Sequence, residues 1–307
     1  MWAQDFFEPG YTSIPGPNGP IALRVMIRSA HEERVAGRQV CAQLRSDTVG
    51  AIQYLAAGGS QDVGGNLEAI PPYAYDEKTS GRVIMGSING SKPYMMEFLE
   101  AQETQAPIEL DTTWLPVGHV DEFIQFLPAD NRLGWVMAPI LAPKNAADPT
   151  VCESKDIDEM LDHTNLVKVN TYCAEQIEAN IKITRGEINL TDEEIIRIPA
   201  VYDDGALECW ETQPARNSSE ESLQDHLQPA ANAAGKLRRR DRDTDIAAVG
   251  FYPGIVNGVP LSDTVYLAPN PWGPVINGRD IIADAVTAAY AKANYTVNYW
   301  RIGSPII

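Results

Sequence analysis

The chain has 307 residues, 44% of them hydrophobic, so it is long enough to build a sizeable core as a single domain. Its formal net charge of −18 at pH 7 argues against nucleic acid as a partner, because phosphate contacts require a basic surface. The same charge suits a cationic substrate or a divalent metal ion, and it is also what an ordinary soluble surface carries.

The four cysteines give no sign of a metal or disulfide framework. They are widely spaced and form no Cys-x-x-Cys pair: Cys41, Cys152, Cys173 and Cys209. This pattern argues against a zinc site and against a disulfide scaffold. No apolar run reaches the roughly 18 residues of a membrane helix, and no signal peptide opens the chain. We therefore expect no membrane partner and an intracellular, cytoplasmic location.

The first 145 residues favour strands and loops, with Gly and Pro punctuating the pattern. Short apolar segments predict strands at residues 21–27, 81–85, 107–110 and 114–117, with a further apolar run at 123–127. One helix is predicted at 91–104, with Ser91 as a possible cap and Pro93 in its first turn.

The second half of the sequence alternates helical and strand patterns. Helical periodicity covers 156–185, Thr191 and Glu194 have capping-box spacing, and 195–201 predicts a strand that Pro199 keeps short. Residues 205–245 change in composition, from a Ser/Glu-rich to an Ala-rich and then an Arg-rich segment, which predicts a disordered insertion within the domain. A final helix is predicted at 281–293.

The segment WLPVGHVDEF, residues 114–123, places His119 and Asp121 two positions apart after an apolar run. In an extended chain this spacing puts both side chains on one face. A carboxylate can hold a cationic group while a histidine moves protons near neutral pH. Taken alone the His-x-Asp pattern is weak, since such pairs are more often structural.

Several segments together resemble the protein-arginine deiminase family. WLPVGHVDEF resembles its VGHVDEF signature, MWAQDFFEPGY at 1–11 its first motif, and GGNLEAIPPY at 64–73 its FGNLEVSPP motif. FYPGIVNG at 251–258 and PNPWGPVING at 269–278 resemble its late segments. The motifs occur in the family's order, and the resemblance spans nearly the whole chain except 205–245.

The resemblance implies a fold and an activity. The fold would be α/β, a five-bladed propeller of the pentein type with ββαβ modules around a pseudo-fivefold axis. Residues 1–307 would form one catalytic domain with its insertion at about 205–245. The activity would be calcium-dependent hydrolysis of peptidyl arginine to peptidyl citrulline and ammonia through a Cys-thiouronium intermediate. The enzyme would be a hydrolase of linear amidines, with protein or peptide arginine as substrate. The sequence leaves the oligomeric state open.

The resemblance also assigns roles to particular residues. Asp5 and Asp121 match two aspartates that clamp the substrate guanidinium, and His119 matches the general acid–base histidine. Trp2 and Val117 would flank the aliphatic stem of the arginine. Arg34 would hold the peptide backbone of the substrate, on an alignment that needs a one-residue gap.

Calcium is the cofactor that the resemblance implies. Its ligands would be side chains and main-chain carbonyls, an oxygen set suited to Ca²⁺: Gln4, Glu8, Glu68, Gly64 and Leu67. A second family site needs a glutamate and an aspartate where this chain has Phe6 and Arg28, so we expect that second site to be absent.

The resemblance fails at the nucleophile. The family's cysteine lies in a GEVHCGTN-like motif near its C-terminus, which this sequence lacks, and the last cysteine here is Cys209. We therefore expect a chain truncated at both ends and inactive as written. The alternatives are a non-catalytic module that binds calcium or arginine peptides, and a deiminase of free guanidino compounds.

Overall fold

The computed structural model describes residues 6–30, 37–54, 60–73, 81–141, 165–204, 248–273 and 275–300, with backbone only at 60, 141 and 165. These residues form a mixed α/β fold of short sheets and three α-helices. None of the helices in these ranges is both long and apolar enough to cross a membrane.

Three of the sheets have the same connectivity, in which an antiparallel hairpin is followed by a third strand parallel to the second. In the first sheet the crossover contains the π-helical turn Val40–Leu44. Its strands are β1 (Phe7–Ile14), β2 (Ile21–Arg28) and β3 (Val49–Gln53). Two neighbouring strands that run parallel need such a crossover, because a tight turn cannot join them.

In the second sheet the crossover is helix α1, Tyr94–Glu100. Its strands are β4 (Leu67–Ile70), β5 (Arg82–Ser87) and β6 (Ile108–Asp111), with β4 antiparallel and β6 parallel to β5. Every residue of β5 is buried, as expected of a central strand covered on both faces.

The last sheet repeats the pattern with helix α3, Ile281–Ala291, as its crossover. Its strands are β13 (Val259–Pro260), β14 (Val265–Pro269) and β17 (Thr296–Trp300). A small hairpin, β15 (Val275–Ile276) with β16 (Arg279–Asp280), precedes the helix. Helix α3 begins after Asp280, whose carboxylate accepts the backbone N–H groups of Ile282 and Ala283.

Shorter pairings fill the middle of the chain. Strands β7 (Phe126–Pro128) and β8 (Trp135–Met137) are antiparallel, and β9 (Ile140–Leu141) is parallel to β10 (Ile198–Pro199) across helix α2 (Asn165–Ile188). Strands β11 (Tyr202–Asp203) and β12 (Val249–Gly250) are antiparallel.

The largest buried cluster packs α2 and α3 against β6 and against the chain segments that connect these elements. Trp114, Phe123 and Tyr202 belong to this cluster. A second cluster joins β2, β5 and α1. Strand β5 serves both clusters, because Ile84 faces the first while Val83 and Met85 face the second, as strand periodicity requires.

Most strand and helix predictions that fall on the described residues are confirmed. The strands predicted at 21–27, 81–85 and 107–110 match β2, β5 and β6, and the helix predicted at 281–293 matches α3. The helix predicted at 91–104 is shorter and begins after Pro93. The strand predicted at 114–117 is wrong, since this segment forms turns. The whole of the predicted insertion at 205–245 lies outside the described residues. The first part of the helix predicted at 156–185, residues 156–164, also lies outside them.

Candidate active site

Two aromatic side chains close the segment 114–123 into a loop. The rings of Trp114 and Phe123 are 5.5 Å apart and both are buried, and Tyr202 packs on Trp114 at the same ring distance. Truncating a buried aromatic ring of this kind typically costs about 3–5 kcal/mol. The packing of these aromatic rings therefore fixes the residues between Trp114 and Phe123 as a loop, and they do not continue as a strand.

Gly118 provides the turn that leads into His119. Its φ is +79°, a backbone conformation that is strained for residues other than glycine. An added Cβ would also lie 2.6 Å from Ile88 Cδ1. His119 is then extended, and Val120–Glu122 forms one turn of 3₁₀ helix. Glu122 caps this turn, because its Oε1 accepts the N–H of His119 at 3.0 Å.

The structure brings His119 and Asp121 together. His119 Nδ1 lies 4.0 Å from Asp121 Oδ1, and each residue is only 8% exposed. The sequence predicted this proximity from an extended chain, whereas the structure achieves it with a 3₁₀ turn after His119. A buried carboxylate beside an imidazole can hold a cation and stabilise a protonated ring.

The GGNLE segment, residues 64–68, packs its backbone directly on this pair. A Cβ at Gly65 would lie 2.7 Å from Asp121 Oδ2 and 2.8 Å from His119 Nδ1. Asn66 is fully buried and fixes the segment to strand β5, donating from Nδ2 to the Gly86 carbonyl and accepting the Gly86 N–H at Oδ1. The segment 64–68 and the segment 118–122 thus form one site, although they are far apart in sequence.

The remaining predicted substrate residues are placed unequally. Val117 lies two positions before His119 and is 41% exposed. Trp2, Asp5 and Arg34 lie outside the described residues. The structure therefore brings His119 and Asp121 together, and the roles of all six residues stay predictions.

Some of the predicted calcium ligands share a small pocket. Its wall includes Glu8, Gly64 and Leu67 together with Asp62 and Ser29. Ser29 Oγ donates to the Asp62 carbonyl at 2.8 Å. Gln4 lies outside the described residues. In the part of the chain that the structure covers, no three His, Cys, Asp or Glu side chains are grouped to hold a metal ion.

Glu68 follows Leu67 on β4, and successive strand residues point to opposite faces. Burial raises the pKa of Glu68 to about 8. Burial likewise raises the pKa of Glu122 to about 7, although backbone N–H groups of His119 and Gly118 partly oppose the rise. Two half-buried carboxyl groups near the site therefore hold their protons to higher pH than ordinary glutamates.

Four residues of the site were missed from the sequence. Gly65 and Asn66 lie inside a quoted motif and Glu122 inside another, so the motifs themselves carried a signal that pattern reasoning did not use. Asp62 carried no local signal. It is buried and its Oδ1 accepts the N–H of Met95, 33 positions away, at the start of α1.

Comparison with known proteins gives consistent matches. The family model described as protein-arginine deiminase matches residues 1–148 and 142–301. The human protein-arginine deiminase type-4 is 26% identical over 318 residues, covering 93% of this chain and 41% of its own length. The human type-1 protein is also 26% identical, covering 93% of this chain and 40% of its own length. This chain thus spans about two fifths of the length of these relatives.

Among solved structures, the C. jejuni agmatine deiminase superposes with a TM-score of 0.42 and 11% sequence identity. The superposition covers 97% of this chain and 65% of that one.

Proposed function

Because the chain belongs to the protein-arginine deiminase family, we propose that its site binds the guanidinium of peptidyl arginine for hydrolysis to citrulline and ammonia. The observation that carries the proposal is the buried pair of His119 and Asp121, 4.0 Å apart, in the segment that resembles the family's signature. Their chemistry fits a cationic, planar substrate group that must exchange protons.

Asp121 would bind the substrate and His119 would move its protons. A guanidinium carries five N–H donors in one plane, and one carboxylate satisfies at most two of them, so the predicted partner Asp5 would bind from the opposite side. His119 would give a proton to the departing amine and then take one from the attacking water. Burial of both residues strengthens these interactions by limiting solvent screening.

The covalent step is assigned to no residue of this chain. In the family that it resembles, a cysteine thiolate attacks the guanidinium carbon, and the 307 residues contain no segment matching that motif. This observation favours a second candidate function, binding of arginine peptides without turnover. A citrulline assay on a peptidyl-arginine substrate with calcium separates the two, because product would support hydrolysis, whereas peptide binding without product would support the second candidate.

We further infer that the sheets are modules of one propeller. The repeated connectivity of β1–β3, β4–β6 and β13, β14 and β17 supports this arrangement, because each is a hairpin followed by a crossover and a parallel strand. Residues 1–307 would then form a single domain with its site where segments from different modules meet.

Calcium remains a proposed cofactor. The pocket residues Glu8, Gly64 and Leu67 fit in kind, since a carboxylate and main-chain carbonyls are the oxygen donors that Ca²⁺ prefers. Glu68 and Gln4 would complete the set. Bound calcium would supply positive charge beside the acidic GGNLE segment. Glu8 and the carbonyls of that segment would fix its backbone behind His119 and Asp121.

The substrate class and location follow as proposals. A net charge of −18 favours approach of cationic, arginine-bearing peptides and disfavours nucleic acid. A cytoplasmic location stays a prediction.

Calorimetric titration of an arginine-containing peptide into the 307-residue chain tests the proposal. Asp121→Asn should weaken binding by about 10-fold to 100-fold, because a charge-assisted hydrogen bond is worth about 1.5–3 kcal/mol. Asp130→Asn, at an exposed position of the chain, is the matched control and should bind normally. Equal affinity for the citrulline peptide, or for the Asp121→Asn variant, would contradict the proposal. Preference for free arginine or agmatine would instead favour a deiminase of free guanidino compounds.

A further inference from the structure

The backbone of Gly65 lies directly against the His119–Asp121 pair. Its absent Cβ would be 2.7 Å from Asp121 Oδ2, 2.8 Å from His119 Nδ1 and 3.3 Å from Asp121 Cγ. Real Cβ atoms essentially never approach within 3.0 Å of another heavy atom. The main chain of Gly65 therefore forms a wall against which both side chains rest.

Asn66 holds this wall in place. It is 0% exposed, and its Nδ2 donates to the carbonyls of Gln61 and Gly86, each at 3.0 Å. Its Oδ1 accepts the Gly86 N–H at 2.9 Å. An asparagine that uses donor and acceptor together on the backbone of one buried residue is tightly constrained, because its displacement would leave buried polar groups without partners.

The other side of the site is tied to the same strand. Thr112 donates to the Ser87 carbonyl from its backbone N at 3.0 Å and from Oγ1 at 3.2 Å. A Cβ at Gly86 would meet Thr112 Cγ2 at 2.4 Å and Asn66 Oδ1 at 2.6 Å. Asn66 and Thr112 thus bind β5 at the adjacent residues Gly86 and Ser87. Asn66 belongs to the segment 64–68, and Thr112 precedes the segment 118–122, so both segments of the site are anchored to the same strand.

We propose that Gly65 and Asn66 are positioning residues, which set the separation and orientation of His119 and Asp121 through the backbone wall that Asn66 anchors to Gly86. The placement of the pair stands on the geometry above. Its consequence for guanidinium binding rests on the proposed function. Neither residue needs to touch the substrate for this role.

The addition of one methyl group isolates the effect. Gly65→Ala puts a carbon inside contact distance of two side chains that are each 8% exposed, so the contact must rearrange. A shift of either side chain changes the separation of the pair. Gly186→Ala makes the same chemical change in helix α2, where an added Cβ has no neighbour within 4 Å. This variant is the matched control.

Two readouts follow the pair itself. NMR titration of the His119 imidazole reports its distance from the Asp121 carboxylate, because a nearby carboxylate favours the protonated ring. We expect the titration midpoint in Gly65→Ala to fall by about half a pH unit or more, and that of Gly186→Ala to match the unaltered chain. Calorimetry with N-acetyl-arginine amide should show at least about tenfold weaker binding in Gly65→Ala only.

The outcomes separate this inference from the proposed function. An unchanged His119 titration in folded Gly65→Ala overturns the positioning role. If the unaltered chain does not bind the arginine amide, the proposed function fails, while the titration still decides the positioning role. If Gly65→Ala does not fold, the deciding observation is a nuclear Overhauser contact between the Gly65 α-protons and the His119 ring in the unaltered chain. Its absence overturns the inference and its presence supports it.

Discussion

Glu122 gives the site a stability that depends on pH. Its carboxyl accepts the N–H of His119, and burial raises its pKa to about 7, above the 4.5 of an ordinary glutamate. Between these two pH values the folded chain holds a proton that the unfolded chain has released. Stability must therefore fall as pH rises through this window, with the full penalty present above about pH 7.

The magnitude follows from the two pKa values. A shift of about 2.5 units corresponds to about 3.4 kcal/mol at most, at about 1.36 kcal/mol per unit. Glu122 is only half-buried, so solvent screening lowers this figure to about 1–2 kcal/mol. Glu122→Gln keeps the acceptor for His119 but carries no charge, so it should remove the pH-dependent penalty.

Urea unfolding of the unaltered chain and of Glu122→Gln at pH 5 and pH 8 measures this difference. The variant should gain about 1–2 kcal/mol relative to the unaltered chain between the two pH values. Glu193→Gln, at an exposed position, is the control and should show no such gain. A difference that stays constant with pH, or grows toward pH 5, would refute the role of the buried carboxyl.

Two further predictions concern the neighbourhood of the site. Tyr266→Phe should lower the free energy of unfolding in urea by about 2–4 kcal/mol. The buried Tyr266 hydroxyl accepts the Gly258 N–H and lies 3.1 Å from Gln125 Oε1, so both of these groups would lose a hydrogen-bond partner. Tyr11→Phe at an 80% exposed position should cost almost nothing, and equal costs would contradict the network. Calcium calorimetry should find about one site, weakened by Glu68→Gln and not by Glu193→Gln. Two equivalent sites, or none in a folded chain, would contradict the proposed ligand set.

The sequence predicted features whose cause is local. The apolar run in residues 21–27 ends in Val25, Met26 and Ile27, which are consecutively buried in β2. The periodicity in 281–293 reflects burial of one face of α3, on which Val286, Ala289 and Tyr290 lie. The capping-box spacing of Thr191 and Glu194 is also local, and the Thr191 N–H indeed donates to the Glu194 carboxylate at 2.9 Å. The strand prediction at 114–117 fails because Trp114 and Leu115 are buried in a turn, and an apolar pattern alone cannot distinguish such a turn from a strand.

The site shows the same division. The nearness of His119 and Asp121 could be predicted because only two positions separate them, whereas the 3₁₀ turn that brings them together could not. The wall at Gly65 could not, since it depends on a contact between residues 54 positions apart. The hydrogen bond from the Met95 N–H in α1 to Asp62 Oδ1 likewise forms only in the tertiary fold. Local patterns thus identified chemical groups, and the packing that positions them required the structure.

A structure of the chain bound to an arginine-containing peptide tests the proposed guanidinium clamp most directly. The carboxyl groups of Asp5 and Asp121 should flank the guanidinium, with His119 beside it and the two carboxyl groups no more than about 10 Å apart, since hydrogen bonds span only about 3 Å on each side. A larger separation, or a guanidinium bound away from Asp121, would contradict the proposed site even with the family established.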